Sequence, residues 1–254
     1  MRRVLTALVL IPVVVSLIFL ANAWVFAVVV AAVACLCFHE YRQLAAAYHF
    51  GPIHPAGYLF GFLLLFADRE PWIWMAILLA CLASVSLAMS ADLSHCLPRA
   101  ALLVTGIVYV FGCWKCAIAV RAHNPHWLMY TLLVNWAGDT GGYYVGRRFG
   151  HRRLAERVSP GKTWEGTFGS LLFSVIAAGA YLLVFVPTIP LSQVVLLTLA
   201  VNAAGQLGDL CESAIKRGAG VKDSGSLLPG HGGMLDRVDS TLFALPVVYA
   251  YLSL

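Results

Sequence analysis

The sequence predicts an all-α fold: a polytopic membrane helix bundle of about nine transmembrane helices. Three observations predict it. Of 254 residues, 61% are hydrophobic and only 11% are charged, against the roughly 25% charged that soluble domains carry. Mean hydropathy is +0.83. Apolar stretches near the roughly 17–25 residues that cross hydrocarbon recur along the whole chain, and the cations between them are distributed unevenly.

The first stretch, 4–20, follows Met1-Arg2-Arg3 and precedes Ala21-Asn22-Ala23. That arrangement resembles a cleavable signal peptide, but the run exceeds the usual 7–15 apolar residues, so it reads as a span. The second, 23–37, stops before His39 and Glu40. The third, 56–67, is the weakest, short enough to be re-entrant. The fourth covers 72–89 and the fifth 100–120. The fifth includes Cys113-Trp114-Lys115-Cys116, which has redox-motif spacing without the adjoining βαβ pattern. These cysteines read as small packing residues, and no cysteine–histidine set has zinc spacing. The remaining spans are 127–146, 166–186, 191–210 and 235–252.

Lys and Arg near span ends stay cytoplasmic. With nine spans and an inside N-terminus, one side receives fourteen of the seventeen cations, including Arg2, Arg3, Arg42, Arg99 and all those in the 147–162 and 216–237 regions. The other side receives Arg69 and Arg121, while Lys115 falls inside a span. No internal repeat, low-complexity tract or long linker interrupts the chain. It reads as one integral-membrane domain, 1–254, with scaffold spans in 1–125 and a catalytic half in 126–254.

Ionisable groups inside a membrane are costly and mark function. Glu40, Asp68, Glu70 and Asp92 sit at predicted span ends, where water and headgroups solvate them. The other eight carboxylates lie beyond residue 126. In the eighth span Asn202, Gln206, Asp209, Ser213 and Lys216 share one helical face. In the sixth, Asn135, Asp139 and Tyr143 do the same, with Gly138, Gly141 and Gly142 thinning the helix for close approach. In the ninth, Asp236, Asp239 and Ser240 fall on one face. A shared cavity would gather Asp139, Asp209 and Asp236, whose charges would repel without a bound Mg²⁺. Interhelical hydrogen bonding is the favoured reading for Asn135, Asn202 and Gln206, and metal binding for the aspartates.

Two loops complete the set. The 146–166 loop carries Arg147, Arg148, Arg152, Arg153, Arg157 and Lys162 against Glu156 and Glu165. It attracts phosphate and anionic headgroups, although Arg152, Arg153 and Arg157 could serve topology alone. Its Ser159-Pro160-Gly161-Lys162-Thr163 resembles the end of a P-loop, but Glu156 stands where the first glycine belongs. The 213–239 segment is the most informative in the chain. It packs Lys216, Arg217, Lys222, Arg237, Asp223, Asp236, Asp239, His231 and several glycines between apolar stretches. Carboxylates for a divalent metal, cations for phosphate and glycines that expose backbone N–H groups form one chemical set, suited to a polyphosphate. His231-Gly232-Gly233 resembles an esterase oxyanion loop, but the chain has no G-x-S-x-G elbow.

At these residues the chain resembles the phosphatidate cytidylyltransferase family, the CDP-diacylglycerol synthases. Ser213, Ile215, Lys216, Arg217, Lys222, Asp223, Gly225, Leu228, Pro229, His231, Gly232, Gly233, Met234, Asp236, Arg237, Val238 and Asp239 fill its signature without a gap. Asp139-Thr140-Gly141-Gly142-Tyr143 with Gly146-Arg147, the block from Ser159 to Gly166, and Gly208-Asp209-Leu210-Cys211-Glu212-Ser213 are similar to further family blocks. Gly161 departs from the pattern, which often has a second lysine there. The detailed likeness covers roughly Asn135 to Ser240.

The resemblance implies an enzyme of phospholipid biosynthesis that joins phosphatidic acid to CTP, giving CDP-diacylglycerol and pyrophosphate. It implies Mg²⁺, optionally with a monovalent cation such as K⁺, and a homodimer in a cytoplasmic (inner) membrane with its active site facing the cytoplasm. Membrane lipids are partners, and no nucleic acid is. Asp209 and Asp236 are the leading metal ligands, with Asp139 and Asp239 next. Lys162, Lys216, Arg217 and Lys222 are expected to hold phosphates, and Asp223 and His231 to orient ribose, base or a neighbouring group. Arg237 joins the catalytic set, and Ser159, Arg147, Ser213, Gly232 and Gly233 the substrate-binding set. The rival class is a transporter using intramembrane aspartates. Clustering of polar groups near one face, and the absence of repeats, weigh against it. A cytidylyltransferase for another lipid phosphate is the second alternative.

Overall fold

In the computed structural model, which describes residues 2–48, 50, 53–67, 71–88, 93–227 and 232–254, every expected stretch lies in a helical run. The first four are α1 (Arg2–Phe19), α2 (Ala23–Ala46), α3 (Gly57–Phe66) and α4 (Pro71–Ala88). The fifth is continuous: a 3₁₀ turn (Leu93–His95), α5 (Cys96–Gly106), a π turn (Ile107–Gly112) and α6 (Cys113–His123). Then follow α7 (Pro125–Phe149), a run of α8 (Trp164–Ser174), a π turn (Val175–Gly179) and α9 (Ala180–Phe185), and finally α10 (Leu191–Gly218) and α11 (Leu235–Ser253). Among the described residues, four runs, Ala23–Ala46, Leu93–His123, Trp164–Phe185 and Leu191–Gly218, are long and apolar enough to cross a membrane. The protein is a predominantly helical, multi-pass membrane protein of the all-α class. α3, with 10 residues, rises only about 15 Å, half the hydrocarbon thickness.

Two helices outrun their apolar stretches. α10 continues past Leu210 to Gly218 with Lys216 and Arg217 in its last turn, where cations complement the exposed carbonyls. α2 continues past Cys37 to Ala46, because no Gly or Pro interrupts it. The extension carries Glu40 and Arg42 beyond the apolar run. Between α7 and α8 the basic loop folds into an unanticipated hairpin of β1 (Arg153–Ala155) and β2 (Ser159–Thr163), with Arg153 opposite Thr163 and Ala155 opposite Ser159. Glu165 accepts from the backbone N–H of His151 at 3.1 Å and of Arg152 at 3.3 Å, and Arg153 donates to the Pro160 carbonyl at 2.8 Å. The hairpin satisfies its own backbone groups locally and presents Lys162 from β2.

Packing explains the glycines of the sixth span. A Cβ on Gly141 would lie 2.6 Å from the Gly169 carbonyl oxygen, and one on Gly138 2.7 Å from Ser170 Oγ. α7 and α8 therefore approach to backbone contact, the small-residue mode of membrane helix packing. α10 and α11 meet in the same way: a Cβ on Gly208 would lie 2.6 Å from the Asp239 carbonyl oxygen. In the N-terminal half, Phe38 of α2 centres an aromatic cluster with Tyr41, Tyr58 and Phe111 at ring distances of 5.0 to 6.3 Å. All seven cysteines are free.

Contacts sort the polar residues between the two ends of the bundle. At one end Arg42 donates to the Ile53 carbonyl, Tyr48 to the Ile215 carbonyl and Arg217 to the Val158 carbonyl. At the other, Arg121 donates to the Ile18 and Ala21 carbonyls, and Lys115 to the Ala67 carbonyl at the end of α3. Asp68, Arg69, Glu70 and Asp92 lie outside the described residues.

Candidate active site

The polar faces of α7 and α10, each set by its helical spacing, converge on a cavity of about 220 Å³. Asp139 and Gly142 come from α7, Gly161 and Lys162 from β2, Ser170 from α8, Asn202, Gln206 and Asp209 from α10, and Ser240 from α11. Its floor is a hydrogen-bonded amide chain. Asn202 Nδ2 donates to Ser174 Oγ at 2.7 Å and to Ser170 Oγ at 3.0 Å, and Gln206 Nε2 donates to Asn202 Oδ1 at 2.6 Å. Asn135 Nδ2 donates to Thr241 Oγ1 at 3.2 Å. Asn135 and Asn202 thus hold helices together, each such bond contributing roughly 0.6 kcal/mol, whereas the side-chain bond of Gln206, expected between helices, runs within α10.

Charge is concentrated at the wall. Lys162 Nζ lies 2.6 Å from Asp209 Oδ2 and donates to the Gln206 carbonyl at 3.4 Å. The other Asp209 oxygen accepts from Ser213 Oγ at 3.3 Å. Asp139 interacts electrostatically with Asp209, repulsively, and with Lys162 and Arg237, attractively. Asp239 also interacts electrostatically with both aspartates, and its Oδ1 accepts from the Ser240 N–H at 2.7 Å. Thr163, the N-cap of α8, accepts from the Gly166 N–H at 3.1 Å and so anchors the strand that carries Lys162.

The expected convergence of Asp139, Asp209 and Asp236 is corrected in one respect. Among the described residues, the cavity wall takes Asp139 and Asp209 but neither Asp236 nor Asp239, and no three His, Cys, Asp or Glu side chains gather as a metal site. Asp236 belongs to a neighbouring, more buried centre. Its Oδ1 pairs with Lys216 at 2.5 Å, and its Oδ2 accepts from the Ser224 N–H at 2.9 Å and the Gly233 N–H at 2.8 Å. Lys216, only 9% exposed, also pairs with the fully buried Glu212. Helical spacing placed Lys216 on the right face. Spacing of four also puts Glu212 beside it, but spacing gives no sign of Asp236, which comes from α11.

The remaining candidates surround this centre. Arg217, Lys222, Asp223 and Arg237 are exposed, as is Arg147, which donates to Tyr143 Oη at 2.7 Å. Ser159 lies in β2, and Gly232 adopts φ +79°, a conformation glycine takes without strain. His231 lies outside the described residues. Glu40 is a second correction. It is 4% exposed rather than solvated, and it accepts from Ser224 Oγ at 2.9 Å and from the Met234 and Leu235 N–H groups at 2.8 Å. Its partners lie some 190 positions away, so spacing gave no direct signal. The one available hint was uninterrupted helical sequence beyond Cys37.

Whether this wall suits Mg²⁺ can be judged from its donors. Mg²⁺ ordinarily takes one or two carboxylates plus substrate phosphates and water, rather than an all-protein cage. Asp139 and Asp209 on one cavity wall fit that requirement. Lys162 seated on Asp209 marks the same spot as one where positive charge is favoured.

The sequence profile of the cytidylyltransferase family matches residues 1–254. The chain is 35% identical over 279 aligned residues to the phosphatidate cytidylyltransferase of Haemophilus influenzae, covering 96% of each chain. It is 42% identical over 150 residues to that of Bacillus subtilis, across 58% of this chain and 56% of that one. To the Staphylococcus haemolyticus protein of the same name it is 41% identical over 157 residues, across 62% and 58%.

Proposed function

The chain belongs to the cytidylyltransferase family, and from that premise we propose that it transfers CMP from CTP to phosphatidic acid, giving CDP-diacylglycerol and pyrophosphate. The observation that carries the reading is the cavity where Lys162 of the basic hairpin meets Asp139 and Asp209. A lipid phosphate oxygen attacks the α-phosphorus of CTP. A new P–O bond forms as the bond from the α-phosphorus to the bridging oxygen breaks, and that oxygen leaves on pyrophosphate. The nucleophile is already anionic, so no covalent enzyme intermediate or strong base is needed. Catalysis is positioning and charge neutralisation.

The residues divide accordingly. Lys162 neutralises phosphate charge inside the cavity, and Arg147, Arg217, Lys222 and Arg237 draw polyanions to its mouth from the exposed surface. Asp139 and Asp209 would hold Mg²⁺, with Asp239 as a further ligand; when bound, it supplies neutralisation of the developing charge on the reacting phosphates. Asp236 and Lys216 hold the signature loop in place. Asp223 and His231 are proposed to orient the nucleotide, and Ser159, Ser213, Gly232 and Gly233 to shape its phosphate contacts. The same reading puts the site on the cytoplasmic face of the inner membrane, in a homodimer. Grouping of these charges at one end of the bundle favours it over transport, which would put them at the midplane.

The test is incubation of the purified protein with phosphatidic acid and labelled CTP. Metal-dependent formation of a labelled lipid together with pyrophosphate is expected. Unchanged nucleotide, with solute flux in liposomes, would overturn the reading.

A further inference from the structure

We propose that Glu40, from the N-terminal scaffold half, is a positioning residue for the reaction, acting by closing the neck of the signature loop. The proposal rests on the reading of the cavity as the cytidylyl-transfer site. The loop leaves α10 at Gly218 and returns to α11 at Leu235. Two carboxylates bind both sides of its neck. Asp236 accepts from the Ser224 and Gly233 N–H groups, and Glu40 accepts from Ser224 Oγ on the outgoing side and the Met234 and Leu235 N–H groups on the returning side. The two N–H groups that Glu40 takes are at the start of α11, where backbone donors lack intrahelical partners and a negative charge is favoured.

The glycines of the loop fit this clamp. A Cβ on Gly225 would lie 2.8 Å from Glu40 Oε1, and one on Gly233 would meet both Ser224 Oγ and Glu40 Oε2 inside contact distance. The loop backbone is thus shaped around a side chain supplied by α2. Among the described residues, Glu40 has Ser224, Met234 and Leu235 as its hydrogen-bond partners, none of which lines the cavity. Its effect passes through the start of α11, which sets Asp239 and Ser240 against α10, where Gly208 meets the Asp239 carbonyl. α2 is thereby part of the catalytic apparatus and not only a support for it.

Glu40→Gln keeps the shape but puts an NH₂ group against N–H donors that need an acceptor. Turnover is expected to fall about 10- to 100-fold, the factor for losing a hydrogen bond to a charged group, with the KM for CTP within about threefold because no substrate contact is removed. Hydrogen exchange should speed in peptides covering 221–227 and 232–238 but not in the 153–163 hairpin. Ser224→Ala removes one Glu40 bond from the loop side and should shift both measurements the same way by a smaller factor. It carries the test if Glu40→Gln does not insert. Wild-type turnover and exchange in the variants, or equal acceleration in the hairpin, would overturn the proposal. A wild-type protein that transfers no CMP would instead overturn the functional reading, and the exchange comparison would still decide whether Glu40 clamps the loop.

Discussion

Lys162 and Asp209 face each other at 2.6 Å across the cavity, one from the hairpin between α7 and α8 and the other from the polar face of α10. Their side chains are 23% and 33% exposed, so water screens the pair and it contributes at most about 1 kcal/mol to stability. Its placement is therefore better explained by function. On the proposed function, the ammonium would meet a nucleotide phosphate and the carboxylate its metal.

Lys162→Met should lower turnover about 10²- to 10³-fold, the typical cost of removing one preorganised group that stabilises transition-state charge. Asp209→Asn should lose activity at least as severely. Both should keep a thermal midpoint close to wild type in detergent. A Lys162→Met protein with near-normal transfer would remove it from the catalytic apparatus.

Asp236→Asn should behave differently. Asp236 and Lys216 side chains are 6% and 11% exposed, and although Glu212 still pairs with Lys216, the variant loses the charged acceptor of the Lys216, Ser224 and Gly233 bonds, each worth about 1.5–3 kcal/mol. Loss of activity should come with a clearly lower thermal midpoint, which separates this position from Asp209. Equal midpoints for the two variants would contradict the division into a cavity wall and a buried loop anchor.

Gly141→Ala tests the α7–α8 contact. The added Cβ would lie 2.6 Å from both the Gly169 carbonyl oxygen and Phe173 Cβ, and overpacking of this kind costs about 1–3 kcal/mol. The helices must part, displacing Asp139 relative to α8. Reduced stability and reduced turnover are expected together, measured by thermal unfolding and labelled-lipid formation.

Much of this was legible because helix geometry is local. Spacing of 3 and 4 put Asn202, Gln206 and Asp209 on one face, and α10 presents them so. Small residues at 138, 141 and 142 announced a close helix contact, and Gly138 and Gly141 make it. The hairpin at 153–163 was missed because short strands among arginines carry no period of 2 to recognise. The fate of Lys216, Asp236 and Glu40 was missed for a different reason. Glu212 stands four residues before Lys216, within reach of helical spacing, but the meeting of Asp236 with Lys216 and of Glu40 with the start of α11 depends on how α2, α10 and α11 cross, a non-local outcome that periodicity does not encode.

Gly161→Lys should increase affinity for the nucleotide. A Cβ at Gly161 meets nothing within 4 Å, and the residue is exposed and lines the cavity beside Lys162, so a side chain can leave the backbone there without a clash. One added cation near the triphosphate is worth up to about 1 kcal/mol when screened. A KM for CTP reduced by a few-fold with little change in kcat is expected from steady-state kinetics. An unchanged KM would show that position 161 faces away from bound phosphate.

Removing divalent metal should stop the reaction, and the Mg²⁺ dependence should identify its ligand. Asp139 lines the cavity and carries no catalytic proton in this mechanism, so Asp139→Asn should chiefly weaken metal retention. Chelator-treated protein is expected to form no labelled lipid and to recover on adding Mg²⁺. In Asp139→Asn the Mg²⁺ concentration for half-maximal rate should rise at least about tenfold, since even outer partners of metal sites cost that much in affinity. The rate at saturating Mg²⁺ should recover further than in Asp209→Asn, whose carboxylate also positions Lys162. Activity that survives exhaustive chelation would rule out the metal assignment for both aspartates, while leaving their charge pairing with Lys162 to be explained by substrate positioning alone.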